Sequence, residues 1–164
     1  MRVDLLTRAE QRSSDASLRL DVERITTRLV CAWEWAEREG VAGAHRTSLI
    51  GSSTGAAAAL ATAARYPGRI LTVIARGGRI DLAADVLPRV TAPVLMIVGS
   101  ADRETLRRNA AAIERLPRGA VLMKVPRAGR GFEEPGTLGI VAEYIVNWLD
   151  RLQPLSRRER QWGA

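Results

Sequence analysis

Across residues 17–39, apolar positions Leu20, Ile25, Leu29, Ala32, Trp33 and Ala36 recur near helical spacing, with Asp21, Glu23, Arg24, Glu34 and Arg38 on other faces. The pattern predicts one long amphipathic helix ending at Gly40. Ahead of it, residues 1–15 read as a short apolar fragment, Val3-Asp4-Leu5-Leu6, and a polar loop through Arg12-Ser13-Ser14-Asp15. Beyond it a strand is predicted near residues 46–51, then an alanine-rich helix over about 54–65 that Tyr66-Pro67-Gly68 terminates. Three more β-rich apolar runs, at residues 70–75, 94–98 and 121–125, are bounded by Gly or Pro. Helical pattern follows at residues 103–116 and 138–152. Apolar strands alternating with helices imply a parallel sheet covered on both faces, in a single α/β domain without internal repeats.

Chemistry enters at the first strand-to-helix junction. Gly51-Ser52-Ser53-Thr54-Gly55 fits the G-x-S-x-G nucleophile elbow and lies between an apolar run and the alanine-rich helix. Such an elbow turns sharply with Ser53 in a strained backbone conformation, so a Cβ at either Gly51 or Gly55 is expected to crowd neighbouring chain. Ser53 then stands exposed at a helix N-terminus. The plain reading, a Gly/Ser-rich turn that positions nothing, does not account for those flanks. Other strand ends are where partners of Ser53 should gather. The run Val94-Leu95-Met96-Ile97-Val98-Gly99-Ser100-Ala101-Asp102 delivers Asp102 into a loop. There its carboxylate could orient a base or cap the following helix, and local sequence does not separate the two. Arg76 and Arg79, in Ala75-Arg76-Gly77-Gly78-Arg79, either hold an anionic substrate group or are solvated arginines of a glycine-rich turn.

With Val125-Pro126-Arg127-Ala128-Gly129-Arg130-Gly131-Phe132-Glu133-Glu134-Pro135 at the last strand's end, the chain resembles the α/β-hydrolase superfamily, most closely its dienelactone-hydrolase-like branch. The resemblance covers residues 4–153 and rests on the elbow, the Arg76-Gly77-Gly78-Arg79-Ile80-Asp81-Leu82 stretch, the Asp102 loop and Phe132-Glu133-Glu134-Pro135-Gly136, in that order. It implies a partial α/β-hydrolase fold: a mainly parallel sheet of about four to five strands with helices on both faces. It also implies a serine hydrolase of ester or lactone bonds, with Ser53 as nucleophile, Asp102 as acid and Thr54 N–H as an oxyanion donor. Family members have A-G-H-x-F at the last loop. Here Ala128-Gly129-Arg130-Gly131-Phe132 puts Arg130 in the histidine position. A guanidinium keeps its proton near neutrality and cannot accept the serine proton, so catalysis is expected to be impaired. Rescue by Glu133 or Glu134 is disfavoured because an unperturbed Glu is a weak base for serine.

His45, the only histidine, precedes Ser53 by eight residues of mostly extended chain, which places it about 25 Å away near the opposite rim. The resemblance further implies that N-terminal strands of the family, including the loop supplying a second oxyanion donor, have no counterpart here. Residues 47–51 are then expected at an open sheet edge. That edge supports an alternative function, a non-catalytic interaction or oligomerisation module pairing with a partner chain or a second copy in a homodimer.

Composition modifies this picture little. The chain has 164 residues, 46% of them hydrophobic, and a formal net charge of +7. All basic residues except Lys124 are Arg, and they are dispersed, which argues against a nucleic-acid track. Residues 1–153 are expected to form the hydrolase-like domain and residues 154–164, with Arg157, Arg158 and Arg160, a flexible basic tail. Cys31 is the sole cysteine, so no disulfide and no cysteine-based metal site is expected. No cofactor is implied. No apolar stretch approaches membrane-spanning length and no secretory leader is evident, so a cytoplasmic setting is the expectation.

Overall fold

A computed structural model describes residues 1–41 and 47–152. His45 and the basic tail, with the expectations attached to them, lie outside the described residues. The elements in chain order are α1 (Arg8–Arg12), α2 (Ser17–Leu20), α3 (Val22–Arg38), β1 (Thr47–Ser53), α4 (Thr54–Arg65), β2 (Ile70–Gly78), β3 (Val94–Gly99), α5 (Arg103–Ile113), β4 (Val121–Val125) and α6 (Thr137–Leu152). Two short 3-10 turns, Ile80–Ala83 and Leu87–Arg89, connect β2 to β3.

The four strands form one parallel sheet in the order β1-β2-β3-β4. Alternating side chains of the two inner strands point to opposite faces. Val73, Ala75, Met96 and Val98 join the core that packs α3, α4 and the connecting turns. Ile74, Leu95 and Ile97 join Val125, Phe132 and Val141 beneath α6. Because helices cover both faces, β2 and β3 are apolar without alternation. Helix α4 is buried nearly all round, and its alanines let it lie close to the strands while α3 packs on its outer side. Trp33 and Trp148 pack as helix residues: Trp33 Nε1 donates to Thr47 Oγ1 (3.1 Å) and Trp148 Nε1 to Thr72 Oγ1 (2.9 Å).

Two expectations for the N-terminal part need correction. The helix predicted over residues 17–39 is interrupted at Asp21, whose φ of −73° and ψ of 84° leave the helical region. Its carboxylate accepts the Arg24 N–H (3.0 Å) and caps α3, a role in which Asp competes well against helix continuation. The polar loop contains α1, nucleated by a capping box in which Thr7 accepts from Glu10 N–H while the Glu10 carboxylate accepts from Thr7 N–H.

Ion pairs tie this segment to α3. The Arg28 guanidinium donates to both Glu10 carboxylate oxygens (2.6 and 3.0 Å) and to the Leu5 carbonyl (3.0 Å). These bonds, from Arg28 first and then from Thr7, hold the Glu10 pKa down at about 2. Among the described residues, β1 lies at one edge of the sheet and β4 at the other.

Candidate functional site

Ser53 stands at the carboxyl end of β1, on the same end of the parallel sheet as the loops that follow β2, β3 and β4. Strand β1 ends there and α4 begins at Thr54, leaving no residue for a loop, so the whole reversal falls on Ser53 at φ 49° and ψ −129°. Few residues with a Cβ adopt this conformation. Its carbonyl accepts the Arg79 N–H (3.1 Å) and, after a register shift between Ser52 and Ser53, it pairs with Gly78, which locks the turn against β2. The side chain is exposed and makes no capping bond to α4. Thr54 is buried and opens α4, where backbone N–H groups have no partner inside the helix.

The two elbow glycines have different reasons to be small. A Cβ on Gly51 would lie 2.4 Å from the Gly55 carbonyl oxygen and 2.7 Å from Ala56 Cα, a backbone collision that no rotamer relieves. A Cβ on Gly55 would meet nothing within 4 Å. The expectation that both glycines are sterically required is therefore corrected: Gly51 is excluded from bearing a side chain by Gly55's backbone, and Gly55 only supplies that backbone.

Asp102 caps the following helix, one of the two roles its sequence left open, and its second oxygen pairs with Arg130 rather than with a base. Oδ1 accepts the Thr105 N–H (3.1 Å) and caps α5, and Oδ2 accepts from Arg130 Nε (3.3 Å). Its side chain is 5% exposed and that of Arg130 60%. Burial pushes the Asp102 pKa up, but the bonds from Thr105 and then the Arg130 guanidinium outweigh it and hold the carboxyl below its ordinary value. Arg130 is brought there by the loop after β4, which is stitched to the end of β3. Ser100 N–H donates to the Val125 carbonyl (2.9 Å), Ala101 N–H to the Ala128 carbonyl (3.0 Å), and Arg127 N–H to Ser100 Oγ (2.8 Å). The Arg130 carbonyl also approaches the neighbouring strand, at 3.0 Å from where a Cβ of Gly77 would stand.

The remaining arginines diverge. Arg79 is bound by Asp81 through Nε (2.8 and 3.1 Å) and Nη2 (2.8 Å), so its charge is already matched within its own turn. Arg76 lies over the Phe132 ring at 5.6 Å from the centroid and has no carboxylate partner among the described residues. Of the two sequence candidates for an anionic group, Arg76 is the one left available.

Two positioning roles, of Asn109 and of Glu134, were not expected from the sequence. Asn109, buried on α5, donates from Nδ2 to the Gly78 carbonyl (2.7 Å) and accepts the Asp81 N–H (3.4 Å), fixing the turn beside Ser53. Glu134 Oε1 accepts the Gly129 N–H (2.8 Å) and shapes the Arg130 loop. An Asn inside an otherwise helical pattern was the one signal that could have marked the first; the second had none, because its partner is backbone.

No family model matches the chain. A solved dienelactone hydrolase from Anabaena variabilis is 39% identical, with a TM-score of 0.81 over 90% of this chain and 69% of that one. A Paleococcus ferrophilus monoacylglycerol lipase, 18% identical, shares the fold with a TM-score of 0.63 over 80% of this chain and 76% of its own. Two Mycobacterium tuberculosis proteins, from strains CDC 1551 and H37Rv, are each 40% identical over 145 residues and bear the description "Putative phosphoribosyl transferase". The match covers 88% of this chain, which spans about a third (32%) of the length of those curated relatives. Sheet order, the serine elbow and the 39% identity over most of both chains agree, and the chain belongs to the α/β-hydrolase superfamily, in its dienelactone-hydrolase-like branch.

Proposed function

We propose that the cluster at the strand ends is a serine-hydrolase-type site for ester or lactone carbonyls whose turnover is impaired by Arg130. The observation that carries the reading is Ser53, exposed at φ 49° and ψ −129° on a turn with no loop residue, directly at the start of α4. A hydroxyl held there is placed to attack a carbonyl, with the Thr54 N–H able to hold the developing oxyanion. Asp102 orients whatever occupies position 130. The group at that position is a guanidinium, which stays protonated and leaves Ser53 without a base. One oxygen of the Glu134 carboxylate accepts the Gly129 N–H, which ties that side chain to its own loop. Arg76 is the candidate for holding an anionic part of the substrate, stacked on Phe132 and unmatched by a carboxylate among the described residues. The phosphoribosyl transfer named for the tuberculosis relatives concerns proteins of which this chain spans 32%, and the serine elbow supports carbonyl chemistry for the matched part.

The test is hydrolysis of p-nitrophenyl acetate by wild type, Ser53→Ala, Arg130→His and the double variant. Wild type is expected at the rate of a free-imidazole control and indifferent to Ser53→Ala. Arg130→His is expected to gain Ser53-dependent cleavage, since a positioned general base contributes on the order of 100-fold to 10,000-fold. Wild-type cleavage well above the control and abolished by Ser53→Ala would disprove impairment. No Ser53-dependent gain in Arg130→His would remove the support for a hydrolase site.

A further inference from the structure

Arg76 and Arg130 reach the same end of the sheet from different elements. Arg76 stands near the end of β2 and lies over the Phe132 ring, 5.6 Å from its centroid. Phe132 is buried in the core beneath α6, so the surface that carries Arg76 is fixed. Arg130 lies two residues earlier in the loop after β4. Gly77 lets that loop come down on β2: at φ 54° it has no Cβ, and one would stand 3.0 Å from the Arg130 carbonyl oxygen and 3.4 Å from the Phe132 ring. The next residue, Gly78, pairs with Ser53, and paired strands are only about 4.8 Å apart. Both arginines therefore belong to the stretch of β2, and the loop laid on it, that adjoins the Ser53 hydroxyl.

The two guanidinium groups are held but incompletely used. Arg130 gives Nε to Asp102 (3.3 Å), and among the described residues its two terminal nitrogens have no hydrogen-bond partner. Arg76 has neither a hydrogen-bond partner nor an ion pair among those residues. Nearby carboxylates are engaged elsewhere: Asp81 by Arg79, Glu104 by Arg107 and Arg108, and Glu134 by the Gly129 N–H, while Asp102 also caps α5.

We infer that this cluster is a receptor for the phosphate group of a small-molecule phosphate monoester, bound and not turned over. The donors come from three elements, Ser53 at the end of β1, Arg76 on β2 and Arg130 after β4. A tetrahedral phosphate offers a terminal oxygen to each, whereas a planar carboxylate has one fewer. Its charge of about −1.5 to −2 at pH 7 matches two guanidinium groups, whose forked N–H donors suit phosphate oxygens. Phe132 and Asp102 already hold the two side chains, so less rotamer freedom is lost on binding. The organic part of the ester has room in the cleft of about 770 Å³ that borders β1 and is lined in part by Ser53. The inference rests on the site geometry of the hydrolase reading and not on its turnover.

The experiment is calorimetric titration of the whole chain with phenyl phosphate, and with benzoate as the carboxylate on the same ring. Phenyl phosphate is expected to bind with a Kd of about 1 mM or tighter, and about tenfold or more tighter than benzoate. Arg130→Gln and Arg76→Gln should each weaken it by about tenfold or more, the loss of a charge-assisted pair. Arg130→Lys, which keeps the charge without the fork, should fall between wild type and Arg130→Gln. Arg118→Gln, at an exposed position between α5 and β4 on the other end of the sheet, should change nothing. Thermal melts check that each variant is folded, and the 60% exposed Arg130 side chain decides the matter if Arg76→Gln is not. Absence of saturable binding, benzoate binding as tightly, affinity unaffected by Arg130→Gln, or equal weakening by Arg118→Gln would overturn the proposal. No carbonyl substrate is present, so failure here leaves the p-nitrophenyl acetate result on Arg130→His standing, and the reverse.

Discussion

Replacing Ser53 by glycine should make the protein more stable, although it removes the candidate nucleophile. At φ 49° and ψ −129°, with Gly78 pairing and the Arg79 N–H holding its carbonyl, the backbone has no room to relax. A non-glycine residue held in such a region costs about 1–3 kcal/mol. Glycine removes that strain but adds roughly 0.5–1 kcal/mol of unfolded-state entropy. The net expectation is a gain of about 1.2 kcal/mol, from mid-range strain of about 2 less about 0.75 kcal/mol of entropy. At roughly 2–4 °C per kcal/mol for a chain of this size, this is a rise in Tm of about 4 °C. Ser53→Ala is the internal control. It deletes the hydroxyl, which makes no capping bond, and retains the Cβ that causes the strain, so it should lie within about 0.5 kcal/mol of wild type. Urea titration of the three proteins checks the difference through the midpoint, with the slope unchanged. If Ser53→Gly is no more stable than Ser53→Ala, the elbow does not store strain and the geometric basis of the site is wrong.

Gly51→Ala should destabilise by about 3 kcal/mol or more, since its Cβ would collide with the backbone of Gly55 and Ala56. Gly55→Ala, in open space on α4, should be neutral or stabilise by about 0.5–1 kcal/mol; denaturation midpoints separate the pair. Asn109→Ala should cost about 1–3 kcal/mol by leaving the Gly78 carbonyl unsatisfied, and should raise the hydrogen exchange rate of the Asp81 amide. The Glu10 pKa is lowered from 4.5 to about 2, so its stabilisation is complete above pH 4.5 and is lost as pH falls towards 2. Glu10→Gln should flatten that acid limb of the stability profile, read as Tm against pH; an unchanged limb would refute the assignment.

Much of the architecture was legible because burial is recorded in pattern. The continuous apolar runs of β2 and β3 are what a strand covered on both faces requires, and the elbow with its flanks marked the strand-to-helix turn at Ser53. The interruption at Asp21 was hidden because its capping bond competes with a helical pattern that continues on both sides. Helix α1 was hidden because it is a single short turn stabilised by one reciprocal cap rather than by a buried face.

The sequence by itself determined the α/β class, the parallel sheet, the place of Ser53 and the arginine where a histidine would stand. These depend on local periodicity, on the steric demands of one turn and on the identity of single side chains. Only the tertiary structure decided the rest: that Asp102 both caps α5 and holds Arg130, that Arg79 is matched by Asp81 while Arg76 has no carboxylate partner among the described residues, that Gly55 needs no smallness of its own, and that β1 borders a cleft. Each of these is a relation between segments distant in the chain or a distance of a few ångströms. Neither kind of quantity has a periodic or compositional signature, because it is set by how packed elements meet.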